Sequence, residues 1–212
     1  MIRVEKIQVF GFEPAVRGMR NPMDSWDRSD SGYRTDDEGN YQGFVVGDRD
    51  DRLARTLIRE GTPNRKFLRQ IVCYMDITAP LYWWKEFDTY KVGTVANSCS
   101  TMHRIHVNPL TLDDFSCEHL TDDNRAALTM LIASMNEARE EFIRTKDKDA
   151  WWQMIQLLPT SYNQKRTVMM NYETIVQMIK WRENHKQDEW RQFCEVLKAL
   201  PHSEWLRTGV AS

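Results

Sequence analysis

The stretch QKRTVMMNYETIVQMIKWRENH, residues 164–185, decides the fold. Its opening run QKRTVMM predicts a strand over 164–170. Asn171 then stands where a helix needs an N-cap, because its short side chain accepts a hydrogen bond from a free N–H of the first turn. From Tyr172 apolar residues return every three or four positions, which predicts a helix over 172–184. Positions 171, 175, 178, 182 and 185 share one face of that helix. They hold Asn171, Ile175, Met178, Arg182 and His185. Ile175 and Met178 mark the inward face, so an Arg lies on a stripe that should be apolar. A half-buried Arg needs an anion, a carbonyl or another partner. Two readings stay open here. Either Arg182 binds a phosphate or polarises a carbonyl, or it snorkels past the core while Asn171 only caps the helix.

Outward from this stretch, a last helix is predicted over 187–199 and another over 148–158, stopped at Pro159. The clearest helix is 122–145, where Leu128, Leu131, Met135, Ala138 and Phe142 line one face and charged residues the other. Thr121 and Thr111, each followed by acidic residues, predict N-caps. Upstream, residues 3–12 and 44–46 read as strands, 48–58 as a helix ended by Gly61 and Pro63, and 67–77 as a strand. An aromatic helix over 79–87 is entered through Pro80. Residues 18–43, rich in Asp, Ser, Gly and Asn, have no apolar period and read as a long polar connection or insertion. Strands and helices interleave without a regular βαβ repeat. The fold class is therefore α+β with a modest sheet, expected as one domain over 1–212.

Composition narrows the function classes. With 41% apolar residues in 212, the chain can bury a sizeable core. Its 29 basic and 31 acidic side chains, net −2, argue against a surface built for duplex nucleic acid. Cys73, Cys99, Cys117 and Cys194 form no CxxC pair, which argues against a zinc ribbon or a redox couple. No stretch approaches the roughly 20 apolar residues of a membrane span, and the start lacks a signal-peptide core, so a cytoplasmic protein is expected.

A second constellation runs Asn97-Ser98-Cys99-Ser100-Thr101, then His103-Arg104-Ile105-His106. Small hydroxyl residues can present side-chain O–H and backbone N–H donors to a phosphate, with Arg104 and Lys91 supplying charge. The glycine spacing of a Walker loop or a dinucleotide fingerprint is missing. His103 and His106 have no third ligand nearby, so no metal is expected. Cys99 has no local base and reads as a buried structural thiol. The aromatic runs Tyr82-Trp83-Trp84 and Trp151-Trp152 read as core.

Together these segments resemble the flavin-dependent thymidylate synthase (ThyX) family, as a divergent member with a degenerate signature. The family shows a strand ending in Val-Asn, a helix with an Arg near its end, then Ser-His-Ala-Gln-Trp-Glu. This sequence has Met170-Asn171, Trp181-Arg182 and His185-Lys186-Gln187-Asp188-Glu189 in those places, with the same spacing from Asn171 to Arg182. Leu158-Pro159 and Ser161-Tyr162 resemble its Leu-Pro and Tyr-Thr turn, and Ile77-Thr78-Ala79 its Ile-Ser-Arg-Ala. Of the signature Arg-His-Arg-x-x-Ser-x-Asn-x-x-Ser-x-Arg, Asn97 and Ser100 match. The Arg-His-Arg falls on Tyr90-Lys91-Val92, and the closing Arg on Met102, two residues before Arg104. Arg65 and Lys66 lie nearest the family's flavin-side His. The resemblance covers roughly residues 44–200.

It implies a mainly antiparallel sheet flanked by helices, and a homotetramer binding FAD and deoxyuridine monophosphate (dUMP), with NADPH and methylenetetrahydrofolate as co-substrates. Arg182 would be catalytic, set against the pyrimidine carbonyl edge to favour the N3-deprotonated base. Lys91, Asn97, Asn171, Gln177 and His185 would face the cofactor. Ser98, Cys99, Ser100, Thr101 and Arg104 would contact the nucleotide phosphate. The alternative is a nucleotide-binding relative that has lost flavin chemistry and regulates or sequesters.

Overall fold

Four strands make the main sheet of the computed structural model, which describes residues 2–211. They are β1 (Arg3–Phe10), β4 (Val72–Pro80), β5 (Thr94–Ser98) and β6 (Asn163–Asn171), in the order β1-β4-β6-β5. A two-stranded sheet pairs β2 (Gly32–Thr35) with β3 (Tyr41–Val45) antiparallel. The helices are α1 (Phe12–Arg20), α2 (Asp48–Arg59), α3 (Leu81–Phe87), α4 (Thr101–Arg104), α5 (Asp122–Thr145), α6 (Lys148–Leu157), α7 (Tyr172–Arg182), α8 (Asp188–Lys198) and α9 (Ser203–Ala211). The class is α+β, with mixed helix and antiparallel sheet. Backbone bonds past the strand ends show the antiparallel sense. Tyr172 N donates to Ile71 O at one end of β4 and β6, and Leu81 N to Tyr162 O at the other. Asn171 N to Gly93 O and Cys99 N to Lys165 O bracket β5 and β6 in the same way.

The chain forms two compact units. One comprises residues up to Glu5, 76–89 and 96–167; the other comprises 6–75, 90–95 and residues from Val168 onward. In the first, α5 and α6 bury Leu128, Ile132, Met135 and Met154 with Ile105, Leu110 and Phe115. Trp83, Trp84 and Phe87 are buried as well. Thr121 Oγ1 accepts from Asn124 N, and Thr111 forms a capping box with Asp114, so both predicted caps are present. Trp152 differs from the core reading, since it is 40% exposed.

In the second unit, α7 buries Ile175, Val176, Met178 and Ile179, while Trp190 and Phe193 of α8 and Trp205 of α9 are buried in their turn. Gly11 enters α1 at φ +99°, and a Cβ there would lie 2.2 Å from Gln70 O, so only glycine fits. Residues 67–77 were expected as one strand. The structure makes a 3-10 turn over Lys66–Gln70 and starts β4 only at Val72. Neither α1 nor α9 is anticipated by the sequence pattern.

The polar stretch 18–43 is a folded arm rather than an open connection. It carries the end of α1, two 3-10 turns, and the β2–β3 hairpin as far as Gly43. Its polar groups converge on Asp50, which is fully buried near the start of α2. Asp50 accepts from Arg20 Nε at 2.5 Å, from Ser29 Oγ and Ser31 Oγ at 2.6 Å each, and from Ser31 N and Asp30 N. In return, Asp30 accepts from Arg49 N and Asp50 N, two free donors of the first turn of α2. Long-range satisfaction of polar groups therefore replaces the apolar period that the arm lacks.

Candidate functional site

The residues singled out by sequence fall on both units. In the second unit they gather along α7. Asn171 caps it, its Oδ1 accepting from Thr174 N at 2.9 Å. Eleven residues later, about 16 Å along the axis at 1.5 Å per residue, Arg182 stands on the same face. Ile175 and Met178 between them are fully buried, so the stripe does face inward.

Arg182 is half-buried, and it does not merely snorkel. Its Nε donates to Tyr90 Oη at 3.0 Å, and its guanidinium lies 4.8 Å from the Trp190 ring centroid and 5.7 Å from that of Tyr90. A half-buried contact of this kind contributes about 1 kcal/mol, and the two rings also restrict the planar fork. Tyr90 is placed by the turn that follows it. Thr174 Oγ1 donates to Val92 O at 3.0 Å, Asn171 N to Gly93 O, and Thr94 Oγ1 to Tyr90 O. A Cβ on Gly93 would sit 2.3 Å from Asn171 Nδ2, so this close approach requires glycine. His185 lies half-buried just past α7. Its Nδ1 accepts from Gln187 N, and its ring meets that of Trp190 edge-on.

Gln177 is half-buried and Lys91 exposed, and no described residue hydrogen-bonds either side chain. Of the two cations nearest the family's flavin-side His, Arg65 is buried and paired with Glu173 at 3.0 Å, also donating to Gly209 O. Lys66 instead lines a groove of about 470 Å³ with Asn64, Phe67 and Gln70. Lys66 alone of the pair borders open space.

In the first unit, Asn97, Ser98, Cys99 and Ser100 are exposed at the end of β5 and before α4. Cys99 was expected to be buried. It is exposed, because β5 is an edge strand of the sheet. Ser100 caps α4, its Oγ accepting from His103 N. Gln164 Nε2 holds the segment by donating to Cys99 O at 3.0 Å and Thr101 Oγ1 at 3.1 Å. Gln164 Oε1 accepts from Arg166 Nε; Arg166 Nη1 donates to Asp88 at 2.8 Å and stacks 4.2 Å from the Trp84 ring centroid. The side chains of Asn97, Ser98 and Arg104 are hydrogen-bonded by no described residue. Among the described residues, no group of three His, Cys, Asp or Glu could hold a metal ion.

Tyr90, Trp190, Gln164 and Arg166 were missed by sequence reasoning. Tyr90 stands 92 positions from Arg182, and nothing local marks the pairing. Trp190 had a signal, since it follows His185-Lys186-Gln187-Asp188-Glu189.

The chain has the ThyX fold. It superposes on flavin-dependent thymidylate synthase ThyX from Helicobacter pylori complexed with FAD and dUMP, with TM-score 0.69 and 15% identity over 96% of this chain and 97% of that one. A second structure of that enzyme, also with FAD and dUMP, gives TM-score 0.70 at 14% identity over the whole of both chains. The UMP/dUMP methylase PolB from Streptomyces cacaoi, bound with 5-Br dUMP, gives 0.62 at 15% identity over 100% of this chain and 94% of that one. No family model and no curated protein matches the sequence. No helix among the described residues is long and apolar enough to cross a membrane.

Proposed function

We propose that this chain is a divergent ThyX-like enzyme acting on a pyrimidine deoxynucleotide such as dUMP. The reaction would be methylation or a related modification at C5, with FAD, NADPH and methylenetetrahydrofolate. The observation that carries this reading is Arg182, a half-buried cation held by Tyr90 and Trp190 in a fold whose solved neighbours hold dUMP or its 5-bromo analogue. An Arg fixed before the ligand arrives stabilises developing negative charge without reorganising, which is how it would favour the N3-deprotonated pyrimidine. Ser98, Cys99, Ser100, Thr101 and Arg104 would bind the phosphate. Arg104, unpaired among the described residues, and the exposed hydroxyl of Ser98 fit that task.

The residues also fit a cofactor with polar groups. Lys91, Asn97 and Gln177 keep uncommitted side chains, His185 lies beside Arg182, and Asn171 acts by starting α7. FAD, when bound, supplies the redox chemistry, and the protein supplies placement. The whole chain would work as one domain, assembled as a cytoplasmic homotetramer.

Thermal shift tests the reading. At 100 times its dissociation constant, dUMP should stabilise the protein by about 2.7 kcal/mol. That corresponds to about 5–11 °C for a chain of this size. Arg182→Ala should abolish the shift, and protein reconstituted with FAD should absorb near about 450 nm. No shift with dUMP, or a shift that survives Arg182→Ala, refutes it. A second reading has its own observation: Tyr90 replaces the first Arg of the signature, and its hydroxyl is spent on Arg182. A dUMP shift without uptake of FAD would favour this nucleotide-binding protein that regulates or sequesters.

A further inference from the structure

Between α1 and the arm over 18–43 lies an open cavity that the proposed nucleotide chemistry does not use. It measures about 140 Å³, and its apolar walls are Val16 of α1, Trp26 and Phe44 of β3. Its polar lining separates into spent and available groups. The Ser29 and Ser31 hydroxyls both donate to Asp50, so they act as wall. Arg20 is different. Its side chain is only 6% exposed; Nε is committed to Asp50 and Nη1 to Ser25, and Nη2 has no partner among the described residues. The Nη2 N–H groups are therefore available to an acceptor that enters beside them. Here that donor belongs to a residue lining an open cavity. At the rim stands Arg17, 65% exposed, with Glu13 at 3.8 Å.

We propose that this cavity is a second ligand site, for a single planar aromatic ring carrying one carboxylate. Its size fits one ring, since a cavity of about 150 Å³ holds benzene. Trp26 offers a stacking face held in place, its indole N–H donating to Asn21 Oδ1 at 2.9 Å. The carboxylate completes Arg20 Nη2 and is drawn to Arg17 in a charge-assisted contact. One negative charge is the most the site accommodates. Arg20 is already balanced by Asp50 and Arg17 faces Glu13, so a phosphate dianion would meet two carboxylates.

Benzoate is the probe, in saturation-transfer NMR on the full chain. Wild type should bind it, and benzamide, which lacks the charge, at least tenfold more weakly. Trp26→Ala should weaken benzoate at least tenfold and Arg17→Ala about threefold, both changes being at exposed positions that leave the core intact. Arg182→Ala should leave benzoate binding unchanged, which separates this site from the nucleotide reading. The proposal is overturned if wild type shows no transfer, if Trp26→Ala binds as wild type does, or if inorganic phosphate displaces benzoate from the site.

Discussion

Asp50→Asn measures what holds the arm to the body of its unit. The substitution keeps the shape of the side chain, removes its charge, and turns one acceptor oxygen into a donor. In the native protein Asp50 is fully buried and receives five hydrogen bonds, one of them from an Arg20 that is itself buried. Burial pushes the Asp50 carboxyl up; the hydroxyls of Ser29 and Ser31 and the Arg20 guanidinium outweigh it and hold the group below its usual 3.8. Breaking a buried pair leaves an uncompensated charge and costs about 3–5 kcal/mol. For a chain of this length that is a fall in Tm of about 6–20 °C. In urea the midpoint should fall by about 1.5–2.5 M at unchanged m near about 2 kcal/mol/M. Removing both charges in Arg20→Met/Asp50→Asn should restore part of the loss, because no lone charge remains and the amide oxygen still accepts from the arm. The folded pKa is depressed, so the contribution is present above the unfolded value and lost as pH falls through the folded one. The gap between wild type and Asp50→Asn should therefore close below about pH 4. A loss no larger than the about 1 kcal/mol of a surface pair, or a double variant no better than the single, would refute this account of the arm.

Three further outcomes are expected. Gly11→Ala, at φ +99° and with its Cβ 2.2 Å from Gln70 O, should cost more than the about 1 kcal/mol usual for glycine exchanges, read by urea unfolding. His202, at φ +54° and packed on Phe12 and Trp205, has its pKa lowered from 6.5 by burial, against the opposing pull of Asp51. The unfolded chain then binds a proton that the folded chain resists, so stability is complete above pH 6.5 and falls as pH drops toward the folded value. His202→Asn, which tolerates the same backbone, should flatten that slope in urea titrations at pH 7 and pH 5.5. Brief iodoacetamide treatment at pH 8, read by mass spectrometry, should modify exposed Cys99. It should spare Cys73 and Cys194, whose thiols burial pushes up to about 12.

Local signals carried much of the architecture. Helix α5 runs from Asp122 to Thr145 with the predicted Thr121 cap, and α7 follows Asn171 as its cap demands. Caps, prolines and apolar periods act within a few residues, so one chain suffices to read them. The α+β class and the inward stripe through Ile175 and Met178 were legible for that reason. The arm was not, because its order comes from Asp50, 19 to 21 positions beyond Ser31 and Ser29. Nor was the exposure of Cys99, which depends on β5 taking the edge of the sheet. Arg182 shows the division most clearly. The sequence alone placed a cation on the inward stripe of α7 and left open whether it meets a partner or reaches past the core to solvent. Only tertiary structure decided that the partners are Tyr90 and Trp190, because bringing a turn 92 residues away within 3.0 Å is the work of long-range packing, which no local pattern encodes.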